Sequence, residues 1–167
     1  AGEVKRIALL EQAPEGSKGG STAWTTAFFR LNNEGHFDES WGENIRRNAG
    51  EMANESYIKA MYDNVEETLE WIQARGVTVE SRTSLRGGKG WNVQGGGKSL
   101  ISAFTPVIIE EGCRIFYETK AQRLLRDIEG RVNGIVVRTA SGHEYTMPTK
   151  AVILASGGFE GNREMLS

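Results

Sequence analysis

A chain of 167 residues, 38% apolar and 25% charged, is long enough for one domain with a core of its own. Twenty basic residues against 22 acidic ones leave a net charge of −2, so nothing in the charge favours nucleic acid or an anionic membrane as a partner. The single cysteine, Cys113, excludes an intramolecular disulfide framework, and with His36 and His143 isolated from it no metal centre is expected. No apolar stretch approaches the roughly 20 residues of a membrane helix and no signal peptide opens the chain, so a cytoplasmic protein without a membrane span is expected.

In chain order, the run Lys5 to Glu11 is almost wholly apolar and ends in an acid, the pattern of a parallel strand buried on both faces. It follows directly on Ala1-Gly2-Glu3, without an initiator methionine, which reads as a point of truncation. Pro14, Gly16, Gly19 and Gly20 break the chain into a loop, after which Ser21 or Thr22 is placed to cap a short helix over Ala23 to Phe29. Residues 38–76 are helical in pattern. Asp38 caps a helix through Trp41, Ile45 and Ala49, and Asn54 caps a longer one whose stripe of Ile58, Met61, Tyr62, Val65, Leu69 and Ile72 ends at Gly76.

Ser81 to Gly97, with glycines at 87, 88, 90 and 95 to 97, reads as a long functional loop. Lys98 to Glu111 reads as a helix stopped by Gly112, with a kink or an early break at Pro106. Short strands are then predicted over Arg114–Tyr117, Ala121–Ile128, Arg131–Thr139 and His143–Pro148, joined by Glu129-Gly130 and Ser141-Gly142. A last, fully apolar strand, Ala151–Ala155, runs into Ser156-Gly157-Gly158. The whole is an α/β fold with an antiparallel β meander, in one domain spanning 1–167 without a dividing linker.

Three features carry chemistry. An acid at the tip of a buried strand, here Glu11, hydrogen-bonds adenosine ribose hydroxyls in doubly wound folds and repels a 2′-phosphate; by itself it is equally a solvated strand end. Gly19-Gly20-Ser21-Thr22 lets backbone approach an anion closely at a helix start, or is a plain glycine-rich turn. Ala155-Ser156-Gly157-Gly158-Phe159 lets backbone lie against a flat group, or is only a tight turn. Their order in one chain is what weighs.

That order, together with Leu9-Leu10-Glu11-Gln12-Ala13-Pro14, Trp71 before Gly76-Val77, Gly95-Gly96-Gly97-Lys98-Ser99-Leu100, Gly130 to Ile135 and Ala151 to Phe159, resembles the fumarate reductase/succinate dehydrogenase flavoprotein family. Within it the chain looks like the tricarballylate dehydrogenase-like members. The resemblance runs from end to end and implies a Rossmann-like FAD/NAD(P)-binding domain that holds FAD. It implies that Glu11, with Gln12 beside it, lies at the adenosine ribose. Gly19, Gly20, Ser21 and Thr22 would follow the pyrophosphate and flavin, and Ala121 would meet the adenine through its main chain. Ala155, Ser156 and Gly157 would pack near the adenosine end, and Gly96, Gly97 and Lys98 would lie on the substrate side. With no histidine in Gly20-Ser21-Thr22, the flavin is expected to be non-covalent.

The implied activity is hydride transfer between flavin and a small carboxylate of the tricarballylate, fumarate or succinate kind, with an unidentified electron-transfer partner. A 3-ketosteroid dehydrogenase-like or aspartate oxidase-like flavoenzyme, or a non-catalytic domain retaining the fold, are the alternatives. The sequence departs from the family in three ways. The first strand with its G-x-G-x-x-G turn, expected roughly 20 residues before Glu11, is absent. Trp24, Phe28 and Phe29 replace a stretch of small residues, and the chain stops about where a capping domain begins. The chain alone is therefore expected to be a fragment truncated at both ends and inactive, with its catalytic residues outside it. Arg30, Arg82, Arg86 and Lys98 are the cations near the candidate flavin loops, each either solvated surface or a substrate clamp.

Overall fold

The computed structural model describes residues 6–32, 34–83, 89–159 and 163–166, with backbone alone for Arg82, Thr83, Lys89, Arg163 and Glu164. The chain forms two compact units. One is discontinuous, Ala1–Ser21 with Ile108–Ser167, and the other is Thr22–Val107.

In the discontinuous unit, β1 (Ala8–Leu10) pairs in parallel with β5 (Arg114–Phe116), Leu9 opposite Ile115. The expected burial of β1 on both faces is not found: Ile7 is 51% and Leu9 40% exposed. The reason is that β1 has a strand partner on one side only among the described residues. Lys5, where the strand was expected to begin, lies outside them.

The predicted meander forms as β6 (Thr119–Arg126), β7 (Val132–Thr139) and β8 (Glu144–Pro148), with β7 in the middle. Ile135, Val136 and Val137 of that central strand are buried. At about 1.5–3 kcal/mol for each such side chain, they are the main hydrophobic anchor of this sheet. Asp127 Oδ1 accepts from the main-chain N–H of both Glu129 and Arg131, which closes the β6–β7 turn the sequence placed there.

The apolar run Ala151–Ala155 is a correction. It forms no strand, and Ile153 and Leu154 are 92% and 75% exposed. A buried parallel strand needs neighbours on its edges, and no described strand pairs with this run.

In the continuous unit, the predicted helix over Ala23–Phe29 is replaced by a 3-10 turn at Gly20–Trp24 and a strand, β2 (Phe28–Phe29). Ala27 sits at φ 46° with its N–H on Thr25 Oγ1, and its carbonyl accepts from Val93 N at 2.8 Å. Cross-strand pairing thus pulls the chain out of the helix that local spacing favours.

The two capped helices form as expected. In α1 (Glu39–Ala49) Asp38 accepts from Ser40 N, and in α2 (Glu55–Gln73) Asn54 accepts from Tyr57 N.

The supposed loop Ser81–Gly97 is instead largely a hairpin. β3 (Val79–Thr83) and β4 (Lys89–Val93) pair with Ser81 opposite Trp91, and β4 also carries β2 on its other edge. Gly87 and Gly88 lie outside the described residues. A two-sided ladder supplies what the polar, glycine-rich sequence does not advertise, and Trp91 fixes it by donating from Nε1 to Asn32 O at 2.9 Å.

Next comes α3 (Gly97–Glu110), which runs through Pro106, so of the kink or early break expected there the early break does not occur. Leu100, Ala103 and Phe104 of α3 pack with Leu69 and Phe29 on the buried cluster Ile72, Val77 and Val93. A four-residue helix, α4 (Arg163–Leu166), ends the described chain.

Candidate functional site

Glu11 follows β1 directly, and its main chain is fixed on both sides. Its N–H donates to Phe116 O at 2.9 Å, and its carbonyl accepts from Thr119 N at 3.0 Å. Its carboxylate then organises the loop that follows: Oε1 accepts from Ala13 N at 2.8 Å and Oε2 from Gly19 N at 3.1 Å. Glu118 N reaches back to Ala13 O at 3.1 Å, so residues 11–13 lie along the start of β6. The turn at its far end needs glycine, because Gly19 has φ 103° and Gly20 φ 50°.

Each Glu11 oxygen spends one lone pair on the loop and keeps another to accept from a ligand hydroxyl. No cation pairs with it among the described residues; Lys18 turns its Nζ to Glu15 O and over the Tyr117 ring, 5.8 Å from the centroid.

Tyr117 escaped the sequence reading. Its hydroxyl is buried without a hydrogen-bond partner among the described residues. Burial first, then the Glu15 and Glu11 carboxylates, push its pKa above the usual phenolic value, so it stays a protonated donor. Only a contact between the ends of β1 and β5 reveals this, and no local signal in the sequence carries it.

The remaining positions in this unit are more loosely placed. Gln12 is exposed, as is Ser21. Ala121 is exposed on β6 opposite Val137, at the edge of a register shift between Ala121 and Arg123 that frees nearby main chain from the ladder. Ala155, Ser156 and Gly157 are exposed, Gly157 with φ 74°, and none of them hydrogen-bonds Glu11. Of the candidates here, the structure joins Glu11 to Gly19 alone.

In the continuous unit, Thr22 and Gly97 are pressed together. Gly97 N donates to Thr25 O at 2.9 Å, and a Cβ built on Gly97 would stand 1.7 Å from Thr22 O. Gly96 N donates to Val93 O at 2.9 Å, and Lys98 is exposed in the first turn of α3. The side chain of Arg82 and all of Arg86 lie outside the described residues. Arg30 is described, its Cζ 4.5 Å from the Phe28 ring centroid and 4.3 Å from that of Trp41.

A parallel strand pair with an acid at the strand end, a glycine turn bound to that acid and an appended antiparallel meander are parts of an α/β domain of the dinucleotide-binding type. All 167 residues match the family model described as an FAD binding domain. The chain belongs to that family, and its cofactor is FAD.

It is 24% identical over 190 residues to vinyl phenol reductase of Lactiplantibacillus plantarum, covering 99% of this chain and 38% of that protein. The chain thus spans about two fifths of that relative's length. Its fold matches 3-ketosteroid-Δ4-(5α)-dehydrogenase of Rhodococcus jostii, solved with 4-androstene-3,17-dione, at a TM-score of 0.77 and 23% identity, covering 96% of this chain and 42% of that one. It also matches the open conformation of a flavocytochrome c3 fumarate reductase at a TM-score of 0.72 and 21% identity, covering 96% and 30%. No helix among the described residues is long and apolar enough to cross a membrane.

Proposed function

We propose that this chain binds FAD non-covalently within an oxidoreductase that moves hydride between the flavin and a carbon beside a carboxylate, in a substrate of the fumarate, succinate or tricarballylate kind. The observation that carries the cofactor half is the Glu11 carboxylate. Tied by Ala13 N and Gly19 N, it is held rigid at the end of β1 with acceptor capacity to spare for two ribose hydroxyls. Its negative charge, which no cation among the described residues pairs, fits an unphosphorylated ribose and opposes a 2′-phosphate.

Gln12 lies beside it, and Gly19, Gly20, Ser21 and Thr22 offer main chain and hydroxyls toward pyrophosphate and flavin. Ala121 offers main chain freed by the adjacent register shift to adenine, and Ala155, Ser156 and Gly157 offer open backbone to the adenosine end. Gly96, Gly97 and Lys98 serve the substrate side. When bound, FAD supplies the group that takes or gives hydride. Similarity to relatives named as a vinyl phenol reductase and a fumarate reductase supports reduction of a carbon–carbon double bond.

The test uses the full-length protein that contains this chain. Purified material should carry FAD, and Glu11→Ala should weaken FAD binding about 30-fold, the effect of losing a charge-assisted hydrogen-bonded pair. Glu11→Ala binding FAD like the wild type would refute the cofactor assignment. Failure of fumarate, succinate and tricarballylate to exchange electrons with the bound flavin would refute the substrate class.

A further inference from the structure

Most arginines with a defined partner here are paired with acids. Arg46 forks onto Glu55 through Nε and Nη2, both at 2.9 Å, Arg131 meets Glu129 at 2.9 Å and Arg138 meets Glu144 at 2.9 Å. Arg75 lies 3.9 Å over the Trp71 ring but donates from Nη1 to Trp71 O. Arg30 differs from all of these. Among the described residues it is the one guanidinium held by two rings, Phe28 at 4.5 Å and Trp41 at 4.3 Å, and neither a carboxylate nor a carbonyl takes its N–H groups.

The local sequence explains this geometry. Phe28 and Arg30 stand two residues apart along extended chain and share a face, while Phe29 between them turns inward to the core. Trp41 comes from the first turns of α1. Contact with aromatic rings restrains the plane of a guanidinium. It leaves the donors, which all lie in that plane, pointing out past the rings, and Arg30 as a residue is exposed. An arginine immobilised in this way offers a carboxylate a two-pronged edge without first losing side-chain freedom.

We propose that Arg30 is a carboxylate-binding arginine of this protein, its ligand a small mono- or dicarboxylate taken in bidentate fashion on the open edge of the guanidinium. The inference rests on the reading above that the substrate is an acid, and it adds the residue that recognises the acid.

The test is a titration of the FAD-loaded, full-length protein with succinate, followed by the change in flavin absorbance, alongside the neutral dimethyl succinate. Arg30→Met keeps an apolar stem beside the rings and removes the fork. It should raise the Kd for succinate about 30-fold, with the response to dimethyl succinate and the FAD content unchanged. Arg30→Lys keeps a point charge without the planar fork and should recover only part of the affinity, staying about tenfold weaker than wild type. Should Arg30→Met fail to fold, Arg30→Lys decides alone. Wild-type succinate affinity in either variant, in a protein that does bind succinate, overturns the role of Arg30 and leaves the carboxylate reading standing. A wild-type protein that holds FAD but neither binds succinate nor turns over any acid overturns the carboxylate reading, and this inference with it.

Discussion

Replacing Gly97 by alanine is expected to be among the most damaging single-methyl changes in the chain. The added Cβ would stand 1.7 Å from Thr22 O, 2.9 Å from Thr22 C and 2.7 Å from Thr25 Cγ2. Restoring ordinary contact requires α3 and the 22–25 turn to separate by about 1.5–2 Å, since carbon atoms rest roughly 3.5–4.0 Å apart. A shift of that size breaks the 2.9 Å bond from Gly97 N to Thr25 O. Overpacking at about 1–3 kcal/mol and a lost hydrogen bond at about 1 kcal/mol together give about 3 kcal/mol. That is a large part of the total stability of a typical domain.

Urea unfolding of the full-length protein, followed by tryptophan fluorescence, measures it against two internal standards. Gly16→Ala, with nothing within 4 Å of its Cβ, should stay within about 0.5 kcal/mol of wild type. Gly134→Ala, whose Cβ would meet Leu125 Cδ1 and Met147 O at 3.3 Å, should fall between the two. If Gly97→Ala unfolds with Gly16→Ala rather than far below it, the start of α3 is not seated on the 22–25 turn and the reasoning fails.

His36 hydrogen-bonds Glu66 on α2, and that bond and the carboxylate's charge raise its pKa above the ordinary value, with Glu34 adding a smaller push. A raised folded pKa means the contact stabilises fully below the ordinary histidine value and is lost as pH rises through the folded one. Wild type should therefore unfold later than Glu66→Gln at about pH 6, and the difference should vanish by about pH 9. Equal midpoints at the lower pH would count against the pair. Tyr117→Phe removes a hydroxyl that is buried without a partner, so it should leave stability unchanged or raise it by up to about 1 kcal/mol. A loss above that in the same urea assay would mean the hydroxyl has a partner after all.

What the sequence made legible was local. Asp38 and Asn54 cap the helices they were expected to cap, because an N-cap acts within three residues and the apolar stripe behind it repeats every turn. The β6–β7 turn was equally plain, since Asp127, Glu129 and Gly130 close it among themselves. What stayed hidden was set by distant partners. β3 and β4 look like a polar loop until each is given the other to pair with, and β2 exists only because β4 passes beside it.

The same division runs through the candidate site. Glu11 could be picked out as an acid at a strand end, but its grip on Gly19, eight residues on, comes from how the loop folds back. Arg30 was one cation among four until the Phe28 and Trp41 rings came within 4.5 Å and 4.3 Å of its guanidinium carbon.

The split layout of the first unit also has a bearing on how the protein is made. β1 leaves the ribosome before its partner β5, which is encoded roughly a hundred residues later. At about 5–20 residues per second, β1 waits on the order of 5–20 s for that partner. During that wait the whole continuous unit, Thr22–Val107, emerges and can close its own core. Chain order thus lets the inserted unit close before β1, the strand that leads into Glu11, can meet β5.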